Sequence, residues 1–209
     1  MELLESLLWR PGEGYFLLDR HVRRLARSAL VLGYACSESV VQSRLEIHAR
    51  RLTSPCKVRL TLSQEGEIVL SEVGLEVGAG TLQEPLRVGI ARTRVPPGEP
   101  LLQHKTTERA LYRAALASRP DCDDVLLVNE RGEITEASSS NVVFEREGRR
   151  WTPPTSCGLL PGTFREHLLD MHEIAERVLR VRELAGCDAL FLINSVRTWR
   201  RATLMDVEP

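Results

Sequence analysis

The chain has 209 residues, 43% of them hydrophobic and 27% charged, which fits a globular protein with one large domain or two small ones. A formal charge of −1 gives no long-range attraction to nucleic acid or to an anionic membrane surface. No apolar run is long enough to span a bilayer, and the start, MELLESLLWRPGEG, carries acids where a signal peptide would carry basic residues. Five cysteines without a C-x-x-C pair exclude a zinc ribbon or a disulfide framework. Free thiols in a reducing cytoplasm are the expectation. His167 and His172 are five apart, which does not make a shared helical metal face, so no metal is expected.

In chain order, ELLESLLW and YFLLD flank RPGEG and predict a hairpin. Asp19 is the expected cap of a helix over RHVRRLARSALVLGY, ending near Gly33. A second helix is predicted from about Ser37 to Leu52. KVRLTLS and EIVLSEV then predict two strands joined at Gln64-Glu65-Gly66. The breakers Gly78, Gly80, Pro85, Pro96, Pro97, Gly98 and Pro100 mark a boundary region, with RVGIART as a strand inside it. We divide the chain into a small α/β lobe, residues 1–85, and a larger strand-rich lobe, residues 86–209. The second lobe predicts a helix from about Thr106, then strands DVLLVN, ITEA and NVVFER separated by turns. A short strand, a helix after Gly162, and strands AERVLRV and ALFLINS complete it. Several hairpins and few helices give an α+β class.

Four segments stand out for chemistry. The first is HKTTERALYRAAL, where Lys105 is one of only two lysines among 28 basic residues. A chain that uses arginine so heavily but keeps lysine here points to a need for an amine. The other lysine, Lys57, lies in an alternating strand without a companion motif. The second is ITEASSSNVVF, whose Glu136 stands 31 residues after Lys105. Glu133 is the rival carboxylate, on the opposite strand face. The third is GLLPGTFREHLL, where Gly162 and Thr163 open a helix, and a helix N-terminus suits an anion. The fourth is LFLINSVRTW, with Ser195 and Arg197. Taken singly, Lys105 reads as a surface lysine, Arg24 as a solvated helix charge, His104 as a structural histidine and Ser138-Ser139-Ser140 as a turn.

In this order and spacing the four segments resemble the class IV aminotransferases, the fold-type-IV enzymes that use pyridoxal phosphate. The resemblance implies a two-lobed α+β fold like that of D-amino acid aminotransferase. It also implies that Lys105 forms the Schiff base with the cofactor, which requires a partly neutral amine. Thr135, Glu136 and Asn141 match the family's T-E-x-x-x-x-N pattern, so Glu136 faces the pyridine nitrogen. Gly162 and Thr163, with Arg24 of R-H-V-R-R-L and Ser195, fall at the family's phosphate positions. Ser139 and Ser140 fall at the cofactor-side loop. Phe164 stands where a hydroxyl is usual.

HKTTER, TPPTSCGLLPGTFREHLL and NSVRTW, with LLWRPGEGYFLLDRHVRRLARSA at the start, are most similar to the lyase part of fused aminodeoxychorismate synthase–lyase proteins. That likeness implies 4-amino-4-deoxychorismate lyase activity, a homodimer, and a separate aminodeoxychorismate synthase as functional partner. Arg92 and Arg197 are the candidates for gripping substrate carboxylates. The alternatives are a branched-chain or D-amino acid transaminase of the same family and a truncated, non-catalytic homologue. Two departures stand beside the likeness: no G-D-G-x-F-E stretch precedes the first strand, so the N-terminal segment is expected to be short, and Glu108 stands where an asparagine is usual.

Overall fold

The computed structural model describes residues 1–75, 84–96 and 100–205. Gly78, Gly80, Pro97 and Gly98, expected as breakers, lie outside the described residues. The chain forms two compact units, Met1–Leu82 with His104–Glu108, and Gln83–Gln103 with Arg109–Pro209.

The first unit is a four-stranded antiparallel sheet in the order β2-β1-β3-β4, with two helices. Its strands are β1 (Leu3–Arg10), β2 (Gly14–Tyr15), β3 (Cys56–Leu62) and β4 (Ile68–Gly74). Strand alternation sends Leu3, Leu7 and Trp9 of β1 and Cys56, Val58, Leu60 and Leu62 of β3 to one face. Helix α1 (Leu18–Leu32) meets that face with Val22, Leu25 and Ala29, at helical spacing. Helix α2 (Glu38–Ala49) adds Val41 and Leu45. The β3–β4 hairpin turns where expected: Gly66 adopts φ 92° and donates its N–H to the Ser63 carbonyl at 3.1 Å.

Asp19 is not the cap of α1. The N-cap position is Leu17, at φ 56°, without a side-chain cap, and Asp19 lies in the first turn. There its charge meets the positive end of the helix dipole instead. Gly33 ends the helix as expected, at φ 73° with its N–H on the Ala29 carbonyl.

The second unit is an eight-stranded mixed sheet in the order β10-β9-β8-β11-β12-β5-β6-β7. Its strands are β5 (Leu86–Val95), β6 (Asp124–Asn129), β7 (Ile134–Ala137), β8 (Asn141–Arg146), β9 (Arg149–Thr152), β10 (Ala175–Glu176), β11 (Ala189–Asn194) and β12 (Thr198–Leu204). Strand β6 is buried along its whole length. Val125 and Leu127 pack with Ala91, Val95 and Ala115, the last from helix α3 (Ala110–Ala117). Leu126 and Val128 pack on the other face with Ile134, Val142 and Phe144. Two-sided burial explains why DVLLVN is an unbroken apolar run. Helix α4 (Thr163–Asp170) follows Gly162. The observed class is α+β.

Three expectations change. The helix expected from Thr106 starts at Ala110, because residues 105–107 are extended and bond to the edge of β1. AERVLRV forms only the two-residue β10. TWRRATL forms β12, which was not expected; it pairs antiparallel with β11 and parallel with β5. Its adjacent arginines, Arg200 and Arg201, hide the alternation that would have revealed it.

Candidate active site

Lys105 is held in the first unit by backbone pairing. The Leu4 N–H donates to the Lys105 carbonyl at 2.8 Å, and the Thr107 N–H donates to the Glu2 carbonyl at 2.9 Å. The Glu2 N–H donates to the Thr107 hydroxyl at 3.0 Å. Two successive β-branched threonines favour this extended course over a helix. The segment thereby lines the edge of β1 that β3 does not occupy. The lysine side chain starts from a backbone fixed at both flanks, and the residue is half-buried.

Glu5 points from β1 into the same unit and is 2% exposed. It accepts from Arg24 Nε at 2.8 Å and Nη2 at 2.6 Å, a two-pronged ion pair, and His21 Nδ1 lies 2.6 Å from its Oε2. Arg24 is therefore a buried charge, not a solvated one. Burial by itself would raise the Glu5 pKa, but the Arg24 charge, with His21, outweighs it and holds the carboxyl down to about 2. Burial pushes the His21 imidazole down; Glu5 opposes this, and the positive charges of Arg24 and Lys105 add to it. His21 thus senses Glu5, Arg24 and Lys105 together. His104 is partly buried, with Nδ1 3.0 Å from the Ser28 hydroxyl on α1. Burial and then the Arg27 charge lower its pKa.

The second unit gathers another set of polar groups. Glu136, on β7, is 5% exposed and accepts at Oε1 from the Tyr112 hydroxyl at 2.7 Å. Glu133 is occupied in its own turn, accepting from Asn129 Nδ2 at 2.8 Å and Arg131 Nε at 2.9 Å. Asn141 is buried and donates its amide to the Leu160 carbonyl at 2.8 Å. Its Oδ1 then faces Gly162 so closely that a Cβ there would lie 2.0 Å away. Gly162 is the N-cap of α4, and Thr163 and Ser195 are both buried.

Asn194 ties the serine loop to the chain's last turn. Its Nδ2 donates to the Ser140 hydroxyl at 3.0 Å, and its Oδ1 accepts from the Val196 and Arg197 N–H groups at 3.0 and 2.8 Å.

Residues 2–205 match the family model for amino-transferase class IV. The chain belongs to the class IV aminotransferase family. It is similar to a Schizosaccharomyces pombe protein named "Putative aminodeoxychorismate lyase", 34% identical over 205 residues, covering 93% of this chain and 86% of that protein. A crystal structure from Mesorhizobium loti, described as a "Putative amino-acid aminotransferase", superposes with a TM-score of 0.91 at 35% identity, covering 98% of this chain and 99% of that one. A Mycobacterium tuberculosis structure, described as a hypothetical aminotransferase in PLP-bound form, shares the fold with a TM-score of 0.85 at 23% identity, covering 97% and 81%.

In this class IV chain the remaining expected site residues fall in the second unit. Ser138 is buried, with its N–H on Asp124 Oδ1 at 3.0 Å, whereas Ser139 is exposed and Ser140 half-buried. Arg92, on β5, and Arg197, in the turn before β12, are both exposed. Tyr112 and Asn194 were not singled out from sequence. Their partners stand 24 and 54 residues away along the chain, and no spacing rule announces such contacts. Among the described residues no helix is long and apolar enough to cross a membrane.

Proposed function

We propose that the chain is a pyridoxal-phosphate-dependent 4-amino-4-deoxychorismate lyase, releasing pyruvate and leaving 4-aminobenzoate for folate synthesis. The observation that carries this reading is the 34% identity to the Schizosaccharomyces pombe protein across 93% of the chain. The proposed working form is a cytoplasmic homodimer that receives its substrate from a separate aminodeoxychorismate synthase.

The residues present fit the cofactor. A pyridinium nitrogen calls for a carboxylate, and Glu136 is a buried one whose Oε1 is held by a phenol hydroxyl. A phosphate calls for a helix start that no side chain obstructs, and the contact of Gly162 with Asn141 admits only glycine. Lys105 would bond the cofactor, and Glu136 would face its ring nitrogen. Gly162 and Thr163 would hold the phosphate together with Arg24 and Ser195, while Ser139 and Ser140 would border it. When bound, the cofactor supplies a covalent attachment for the substrate amine and a ring that accepts electrons.

Lys105 Nζ then takes the proton from the substrate carbon that carries the amine. Its backbone is pinned to β1, so only side-chain rotation is left to set the reach of that amine. Glu136 would offer its carboxylate to the protonated ring nitrogen when the cofactor is bound. Arg92 and Arg197 hold the two substrate carboxylates, each with a planar fork. The enolpyruvyl group would leave from the neighbouring carbon as enolpyruvate, which takes up a proton at its methylene carbon to become pyruvate, and aromatisation of the product ring would make the step downhill.

A second reading, an amino-acid transaminase using the same Lys105 and Glu136, is favoured by the likeness to the Mesorhizobium loti structure. Incubation with aminodeoxychorismate separates the two. The lyase releases pyruvate and 4-aminobenzoate with no keto acid present. Turnover strictly dependent on an added keto acid, or restricted to branched-chain or D-amino acids, assigns the chain to transamination.

A further inference from the structure

Tyr112 lies on α3, within the HKTTERALYRAAL segment, and the family likeness drawn from the sequence gave it no role. Its hydroxyl donates to Glu136 Oε1 at 2.7 Å, within the second unit. Its ring is covered by Arg109, whose guanidinium carbon stands 3.9 Å from the ring centroid. The same guanidinium donates through Nη2 to the carbonyl of Ser138, two residues beyond Glu136. Arg109, Tyr112, Glu136 and Ser138 therefore close a loop that clasps the start of α3 to the strand end carrying the carboxylate. The phenol cannot swing away without losing the cation above it.

The chemistry of the donor matters. A lysine or arginine bonded to Oε1 would bring a positive charge onto Glu136, and a phenylalanine would remove this donor. A phenol orients the carboxylate and brings no charge of its own. Burial, and then the neighbouring Glu136 charge, push the Tyr112 pKa upward, so it stays a donor.

We propose that Tyr112 is a positioning residue that fixes the Glu136 carboxylate toward the pyridine nitrogen of the bound cofactor, and that Arg109 locks Tyr112 in that role. The inference rests on the reading of Lys105 and Glu136 given above.

A double-mutant cycle of Tyr112→Phe and Glu136→Gln tests it, read as the dissociation constant of pyridoxal phosphate from fluorescence titration. Tyr112→Phe should weaken binding about tenfold when Glu136 is present, the size expected of a hydrogen bond to a charged group. With Gln at position 136 the loss should shrink to within about twofold, since the charge being oriented is gone. An equal loss in both backgrounds, which a purely structural role would give, overturns the proposal. So does no loss beside Glu136. Should Tyr112→Phe fail to fold, Arg109→Gln keeps the phenol but uncovers it. It should cost about threefold, again only beside Glu136, and an equal or absent loss overturns the proposal in the same way. Wild-type protein that takes up no pyridoxal phosphate, or a Lys105→Ala variant still fixed to it by borohydride, removes the underlying reading and this inference together. Wild-type protein that binds normally while Tyr112→Phe binds equally well removes this inference alone.

Discussion

The two units hold their buried carboxylates in different ways. In the first, Glu5 is met by a two-pronged arginine and a histidine, so its charge is spent inside the protein. In the second, Glu136 receives at Oε1 a bond from a phenol, a donor that carries no charge of its own. A carboxylate paired with arginine is suited to hold structure, and one steadied by a hydroxyl is suited to face a cation that arrives later. The functional group proposed for the first unit is an amine, Lys105, whose charge reaches His21. The two carboxylates thus differ in the donor that meets them, a cation in the first unit and a neutral hydroxyl in the second.

The largest expected effect tests the amine. Lys105→Ala should remove the absorbance band that borohydride bleaches and lower turnover by about a thousandfold or more, as both a bonding group and a proton acceptor are lost. Lys57→Ala, on β3, should leave the band intact. Peptide mapping after borohydride that finds the cofactor on Lys57 would dissolve the contrast between the units, because β3 pairs along β1 and carries none of the groups around Lys105.

How far this was legible from sequence depends on the kind of contact. DVLLVN, ITEA and NVVFER were legible to the residue, because the apolar cores VLLV and VVF and the turns bounding all three leave a strand few alternatives. The extended course of residues 105–107 was not, because it is set by backbone bonds to β1, a hundred residues earlier. Lys105, Glu136 and Gly162 stood out through motif and spacing. The environment of Arg24 did not: its face of α1 reads as charged, and only the partner Glu5, 19 residues away, shows why a guanidinium is buried there. Tyr112 left no signal, since an aromatic residue one position from Leu111 reads as an ordinary helix residue.

The next effect is on stability and tests whether Glu5 is structural. Glu5→Gln should destabilise the protein by about 3–5 kcal/mol in denaturant unfolding, because it leaves the Arg24 charge buried without its counter-charge. The pH dependence follows from the same groups. Glu5 is ionised in the folded protein down to about pH 2, below its ordinary value of 4.5, so its contribution is complete above 4.5 and is lost as pH falls toward 2. His21 acts in the same direction but earlier. Its folded pKa is lowered, so the unfolded chain binds a proton preferentially once pH drops below about 6.5. Stability should therefore begin to fall below about pH 6.5 and fall more steeply below about 4.5. His21→Gln should shrink the first phase to the share of His104, whose pKa is also lowered, and leave the second. A flat profile between pH 6.5 and 4.5 in the wild type would mean that His21 is not buried against Glu5.

The smallest effect sharpens the second unit's side of the comparison, where the constraint is one of space. Gly162 has an ordinary φ of −70°, so backbone strain does not demand glycine there. What demands it is Asn141 Oδ1, 2.0 Å from where a Cβ would stand, on a side chain tethered to the Leu160 carbonyl. Gly162→Ala must push Asn141 off that carbonyl or shift the start of α4. Either change disturbs the groups proposed to hold the phosphate, so pyridoxal phosphate should bind about tenfold more weakly, the loss of roughly one good hydrogen bond. Gly162→Ala with Asn141→Ala removes the clash and should recover part of the affinity, although Leu160 then lacks its donor. If the single variant binds pyridoxal phosphate as tightly as wild type while its melting temperature falls, the close approach serves packing alone, and the phosphate is held elsewhere than at the start of α4.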